Sequence, residues 1–120
     1  MSPELRQMVQ EINAVRAQYG LPAVGLDGRL MQAAQAYSQE LAAQGRLTHG
    51  DFMTRMRALG PGYGYVAENL AAGMPGSSAV VRAWMHSPAH RANLLAPVVT
   101  VVGVARSGAV WTLILAQRGA

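Results

Sequence analysis

The sequence contains no cysteine and no lysine. Without a thiol there is no disulfide framework and no thiolate metal site, so any bound zinc would have to use nitrogen and oxygen ligands. The missing disulfides assign no compartment, because an oxidising environment permits such bonds without requiring them. A long apolar run is also lacking: the uncharged stretch PVVTVVGVA from Pro97 to Ala105 is far too short to span a bilayer. Charge is sparse and unclustered. All ten positive residues are arginines, six residues are acidic, and the formal net charge is +4. Only Arg55 and Arg57 lie close together in sequence, so the basic stripe of a nucleic-acid binder is absent. The charge supports no more than a mild attraction to anionic polymers or cell-wall surfaces. Met1 is followed directly by Ser2-Pro3-Glu4 with no basic and apolar leader, which predicts either an intracellular protein or a mature or trimmed chain.

The length of 120 residues predicts a single domain over residues 1–120, a monomer by default. A chain of this size buries about two thirds of the surface its unfolded form exposes, enough for a core without staples. Ser2-Pro3-Glu4 has the order of N-cap, first helical residue and acidic first turn. Leu5, Met8, Val9, Ile12 and Val15 then recur at helical spacing until Gly20. Asp27 is placed to cap a second helix with the stripe Leu30, Met31, Ala34, Tyr37 and Leu41, ended by Gly45. A short third helix is predicted with Asp51 as cap and Phe52, Met56 and Leu59 on one face. GPGYGY reads as a loop and YVAENLAAG, residues 65–73, as extended. Ser77 or Ser78 is expected to cap a fourth helix carrying Val80, Val81, Trp84 and Met85. After Pro97, TVVGVAR and AVWTLILAQ are rich in branched residues and separated by Ser107-Gly108, a hairpin signal. Helices first and an antiparallel hairpin last predict an α+β fold. Trp84 and Trp111 are expected in the core, with Met8, Met31, Met53, Met56 and Met85 filling gaps.

The stretch WMHSPAHRANLL carries His86 and His90, four residues apart. On one continuous helix they would share a face, but Pro88 lies between them, and an interior proline costs about 3 kcal/mol. The favoured reading starts a new helix at Pro88, with Ser87 as its N-cap and His90 in its first turn. There the partial positive charge of the helix terminus keeps an imidazole neutral, the form that binds a metal or accepts a proton. His49, just after the second helix, and Glu68, on the extended segment, are the other candidates. Two imidazoles and one carboxylate suffice to hold zinc with a position open for water, although sequence separation leaves their convergence undecided. Isolated histidines are more often hydrogen-bonded structural groups. Asn69 reads as an amide satisfying backbone groups. Tyr63 and Tyr65 either edge a cleft or do not.

INAVRAQYGLPAV, LMQAAQAYSQELAAQGRLTH, YVAENLAAG, WMHSPAHRANLL, VVGVA and VWT, in that order, cover almost the whole chain. Together they resemble the CAP superfamily of cysteine-rich secretory proteins, antigen 5 and pathogenesis-related 1 proteins, also called SCP domains, in its short cysteine-free bacterial branch. The resemblance implies an α/β/α sandwich with a central antiparallel sheet and an open cleft. His49, Glu68 and His90 match family cleft positions, and some members bind zinc or another divalent ion there. A further family glutamate, three residues after the tryptophan of the fourth helix, is Ser87 here. The glutamine that often follows Trp-Thr in the last strand is Leu113. Both departures make the cleft less acidic and less polar, against tight metal binding and glutamate-driven hydrolysis. His86 stands beside the lost acid, either as a third nitrogen or as a surface imidazole.

The expectation that results is a secreted or cell-envelope bacterial binding domain. Its cleft holds His49, Glu68 and His90, with His86, Ser87 and Asn69 nearby, and takes a divalent metal such as zinc as cofactor. The resemblance implies lipid, sterol, cell-wall or protein partners. Two alternatives stand beside it: a metal-assisted hydrolase with Glu68 as general base, and a purely structural scaffold. No motif pairs a serine or cysteine nucleophile with a base, which weighs against covalent catalysis and leaves enzymatic activity open.

Overall fold

Local sequence starts each of the first three helices as expected. The Ser2 hydroxyl accepts the Leu5 N–H at 3.2 Å and Pro3 opens α1 (Pro3–Gln18). Asp27 accepts the Leu30 N–H at 3.1 Å to begin α2 (Gly28–Gln44), which ends at Gly45 in the left-handed conformation that glycine adopts without strain. Asp51 accepts the Thr54 N–H to begin α3 (Phe52–Arg57). These elements belong to a computed structural model that describes residues 1–119.

Four strands form one sheet in the order β1-β3-β4-β2. They are β1 (Gly25–Leu26), β2 (Tyr63–Ala72), β3 (Val101–Ser107) and β4 (Val110–Arg118). β2, β3 and β4 pair antiparallel, as the resemblance implies, and the two-residue β1 adds a parallel edge. Ser107 pairs with Val110, so the hairpin turn is Gly108-Ala109, one residue later than expected. β2 also reaches back to Tyr63, through residues that sequence alone reads as loop. The register shift between Tyr63 and Val66 lets the glycine-rich stretch stay paired with β4.

Alternation along the strands sorts the core into two layers. Val102, Val104, Trp111, Leu113, Leu115, Ala67 and Ala71 face α1, together with α4 (Ser77–Met85) and α5 (Pro88–Leu94). Ala105, Ile114 and Ala116 face α2 and α3. The chain is thus an α/β/α sandwich. Trp84 and Trp111 are both buried, and Trp84 donates its indole N–H to the Leu70 carbonyl at 3.0 Å. Met8 and Met56 are buried as expected, but Met53 is 49 % exposed, because it sits one residue off the Phe52, Met56 and Leu59 face that packs on the sheet.

Two caps differ from expectation. Gly76, not a serine, is the N-cap of α4; the Ser77 hydroxyl is drawn away to donate to the Glu11 carboxylate at 2.9 Å and is buried between α1 and α4. Pro88 does begin α5, with Ser87 at the N-cap position, but the serine contributes its carbonyl to the Arg91 N–H and makes no side-chain cap bond.

Asp27 does more than cap. It is buried, and besides the Leu30 N–H it accepts the Tyr63 hydroxyl at 2.7 Å and an Arg118 guanidinium N–H at 2.8 Å. Burial alone would raise its pKa. The bonds from Tyr63 and Leu30 and the charge of Arg118 outweigh it and hold the carboxyl below its ordinary value. A depressed folded-state pKa contributes stability that is present above the unfolded value of about 3.9 and is lost as pH falls through the folded value. Asp27→Asn is therefore expected to be less stable than wild type in urea at pH 7 and to lose less on acidification below pH 4. Parallel pH profiles for the two proteins would rule this role out.

Candidate binding site

Consecutive residues of β2 point to opposite faces of the sheet, and this divides the expected cleft residues. Glu68 points to the α2 and α3 side, where its side chain is 1 % exposed. A carboxylate that deep needs donors. His49, on the segment leaving α2, supplies Nδ1 at 2.8 Å from Oε1. Arg55, on α3, supplies a fork: Nη1 donates to Oε2 at 2.9 Å and Nη2 to Oε1 at 2.7 Å. Nη2 also donates to the His49 carbonyl at 2.8 Å, so one guanidinium fixes both the acid and the backbone of its histidine partner. The guanidinium lies over the Tyr37 ring, 3.4 Å from its centre, and 5.4 Å from that of Phe52. The Tyr37 hydroxyl donates to the Thr48 carbonyl beside His49. Burial raises the Tyr37 pKa, and the Glu68 and Glu40 charges add to that effect against the opposing pull of Arg55, so the phenol stays a neutral donor.

An ionised carboxylate only accepts, so His49 must carry its proton on Nδ1. The imidazole is half exposed, at 50 % of its side-chain surface, and its other nitrogen, Nε2, makes no hydrogen bond among the described residues. The buried Glu68, with the partly buried Arg55, thus presents one oriented imidazole at the surface.

Asn69 points to the other face. Its amide, wholly buried, donates to the His90 carbonyl at 3.0 Å and accepts from the Asn93 amide at 2.8 Å. Asn93 in turn accepts the exposed Tyr65 hydroxyl at 3.4 Å. Asn69 is thus the backbone-satisfying amide that its sequence context suggests, and it docks α5 on the edge strand. His90 is held there by its backbone, and its ring makes no hydrogen bond among the described residues. His86 is exposed and donates Nδ1–H to the Arg82 carbonyl at 2.8 Å, closing the end of α4. Ser87 lies beside it at the start of α5. Tyr63 turns to Asp27 and takes no part.

The expected ligand set of His49, Glu68 and His90 is therefore only partly assembled. Among the described residues no three histidine, aspartate or glutamate side chains come together as a metal requires. Both Glu68 oxygens already accept from Arg55, so the donor set does not fit a divalent ion. The same bonds count against Glu68 as a general base, since its oxygens are buried and face a cation rather than water. Sequence reading missed Arg55, Tyr37 and Asn93. For Arg55 a signal existed: it falls at the third position after Phe52, inside the stripe Phe52, Met56, Leu59, where an exposed arginine would not belong.

Several hollows lie near these elements, and the three that follow are not lined by His49, Glu68 or His90. One of about 260 Å³ is lined by Tyr37, Glu40, Arg55 and Leu59. Two others, of about 510 and 370 Å³, adjoin through Ser78 and Arg82 along the seam of α1 and α4.

An α/β/α domain with a histidine–glutamate corner beside an edge strand is the class of molecule defined by this fold and site. The chain belongs to the CAP family, the cysteine-rich secretory protein family, whose sequence model matches residues 9–109. It is 34 % identical over 114 residues to YkwD of Bacillus subtilis (strain 168), an alignment covering 89 % of this chain and 44 % of YkwD. The chain thus spans less than half the length of that relative. An extracellular SCP-domain protein of Bacillus anthracis superposes with a TM-score of 0.89 at 24 % identity, over 94 % of this chain and 40 % of its own. An outer surface protein of Borrelia burgdorferi superposes with a TM-score of 0.89 at 23 % identity, over 96 % and 92 %. Identities this low establish the shared fold and not a shared activity.

Proposed function

We propose that this chain is an extracellular or cell-envelope binding domain that contacts its ligand through the exposed ring of His49. The observation that carries this reading is the buried Glu68 carboxylate, bonded on both oxygens and pinning a half-exposed imidazole. Burying a carboxylate to orient one surface side chain is a costly arrangement for a merely structural histidine. In its neutral form the ring offers its Nε2 lone pair to a ligand with O–H or N–H donors. A hydroxyl- and amide-rich cell-wall fragment meets that need better than a sterol, and the net charge of +4 favours an anionic polymer surface. Two of the structural relatives are described as extracellular or outer-surface proteins, and no helix among the described residues is long and apolar enough to cross a membrane.

The reading is tested with soluble peptidoglycan fragments added to isotope-labelled protein. Backbone amide shifts are expected at His49, Gly50 and the start of α3, and they should vanish in His49→Ala. A lipid reading rests on the seam of α1 and α4, whose walls include Val15, Val81 and Met85 and whose volume is in the range of small-molecule pockets. Shifts confined to that seam on adding a fatty acid, with none at His49 on adding the glycan, would favour it instead.

A further inference from the structure

We propose that Arg55 is the resident cation of the site, standing at Glu68 where a divalent ion would otherwise bind, so that this chain's histidine–glutamate corner works without a metal. A carboxylate with 1 % of its side chain exposed must be neutralised by something close, and a metal or a guanidinium can each do so. Here the fork takes one N–H to each oxygen, at 2.9 and 2.7 Å, which uses the carboxylate edge a metal would approach. A third bond, to the His49 carbonyl, and the stacking on Tyr37 fix the guanidinium from behind and from one face. A zinc ion would have to displace all of these contacts. It would gain His49 and Glu68 as protein ligands, one fewer than the three of an ordinary catalytic zinc site. A second positive charge beside the first would also be repelled. Among the described residues no second carboxylate joins His49 and Glu68 to offset the charge of a divalent ion.

The arrangement also sets the chemistry of His49. Arg55 holds the Glu68 carboxylate in place, and that carboxylate accepts the imidazole N–H at Nδ1. Arg55 is thus a positioning residue, acting on the ligand-facing nitrogen through the carboxylate.

Zinc chloride alone is the probe, with melting temperature as the readout. This separates the inference from the cell-wall reading, which can fail without affecting it. Wild type is expected to show no zinc-dependent rise beyond that of His49→Ala. Arg55→Ala, with the carboxylate freed, is expected to gain a rise that grows with zinc, reaching roughly 10 °C at a hundredfold excess over the dissociation constant. Adding Glu68→Gln should abolish it. Arg55→Lys keeps the positive charge and should stay unresponsive, which a purely structural role for Arg55 would not require. Nitrogen-15 spectra of wild-type His49 are expected to show the Nδ1–H tautomer. The proposal is overturned if wild type binds zinc through His49, if folded Arg55→Ala is as indifferent to zinc as wild type, or if His49 carries its proton on Nε2. Should Arg55→Ala fail to fold, the wild-type zinc titration and the tautomer decide the matter.

Discussion

Arg16→Met is expected to lower the unfolding free energy by about 4 kcal/mol, a large fraction of the roughly 10 kcal/mol typical of a domain this size. Arg16 is 0 % exposed and pairs with no carboxylate among the described residues. Its guanidinium instead donates to four carbonyls: Pro22 at 2.9 Å, Leu94 at 2.9 Å, Ala96 at 3.0 Å and Val99 at 3.4 Å. Burial without a counter-ion lowers its pKa, a sign of how much solvation the side chain has given up. What it gains is closure of the fold. One side chain ties the end of α1 to the C-terminal turn of α5 and to the segment entering β3, so α5, the element docked by Asn69, depends on it. Methionine keeps most of the apolar stem, so the loss reports on the guanidinium. Each carbonyl left without a donor costs about 1–3 kcal/mol, and water entering the gap recovers part of the total. Urea unfolding followed by tryptophan fluorescence measures the difference, and a loss under about 1 kcal/mol would show that water serves these carbonyls equally well.

Gly103→Ala is expected to cost about 3 kcal/mol or more, at the upper end of overpacking effects, or to prevent folding. The reason is not conformational. Gly103 lies in β3 on the face turned to α2, and a Cβ there would sit 2.2 Å from the Leu30 carbonyl carbon and oxygen and 2.6 Å from the Met31 nitrogen. Those are backbone atoms in the first turn of a helix, which no rotamer change can move. Relief requires lifting α2 from the sheet, which breaks the Asp27 N–H bond to the Val102 carbonyl and disturbs the Tyr63 and Arg118 bonds to Asp27. Because Tyr37 and the segment bearing His49 ride on α2, the site should respond as well. Chemical denaturation together with amide spectra tests both effects. A variant within 1 kcal/mol of wild type, with unshifted His49 and Glu68 amides, would show that the helix adjusts freely.

The parts of the molecule that were legible in the sequence are those whose causes lie within a few residues. Ser2, Asp27 and Asp51 cap helices because an oxygen three residues ahead of an N–H can reach it whatever the rest of the chain does. Pro88 separates His86 from His90 for the same kind of reason. Where a distant partner competes, the local rule fails. Ser77 was open to capping α4 until Glu11, 66 residues away, offered a carboxylate. Residues 63 and 64 look like loop until β4 supplies a paired neighbour.

The candidate site divides along the same line. His49 and Glu68 stand out by residue type and by position at the ends and edges of elements, and the family resemblance carries the α/β/α architecture. That Glu68 and Asn69 serve opposite faces follows from strand alternation once β2 is a strand. Which side chains wait on each face is another matter. Arg55 lies 13 residues before the carboxylate it neutralises, and Arg16 lies 78 to 83 residues from three of the carbonyls it binds. The sequence by itself determined the caps, the apolar stripes, the break at Pro88 and the list of candidate acids and imidazoles, because these depend on neighbours three or four residues apart. Only the tertiary structure decided that a guanidinium lies against Glu68 and that Asn69 engages the His90 carbonyl rather than its ring. A buried charge is matched by whichever donor the packed layers bring within 3 Å, and no local pattern encodes that meeting.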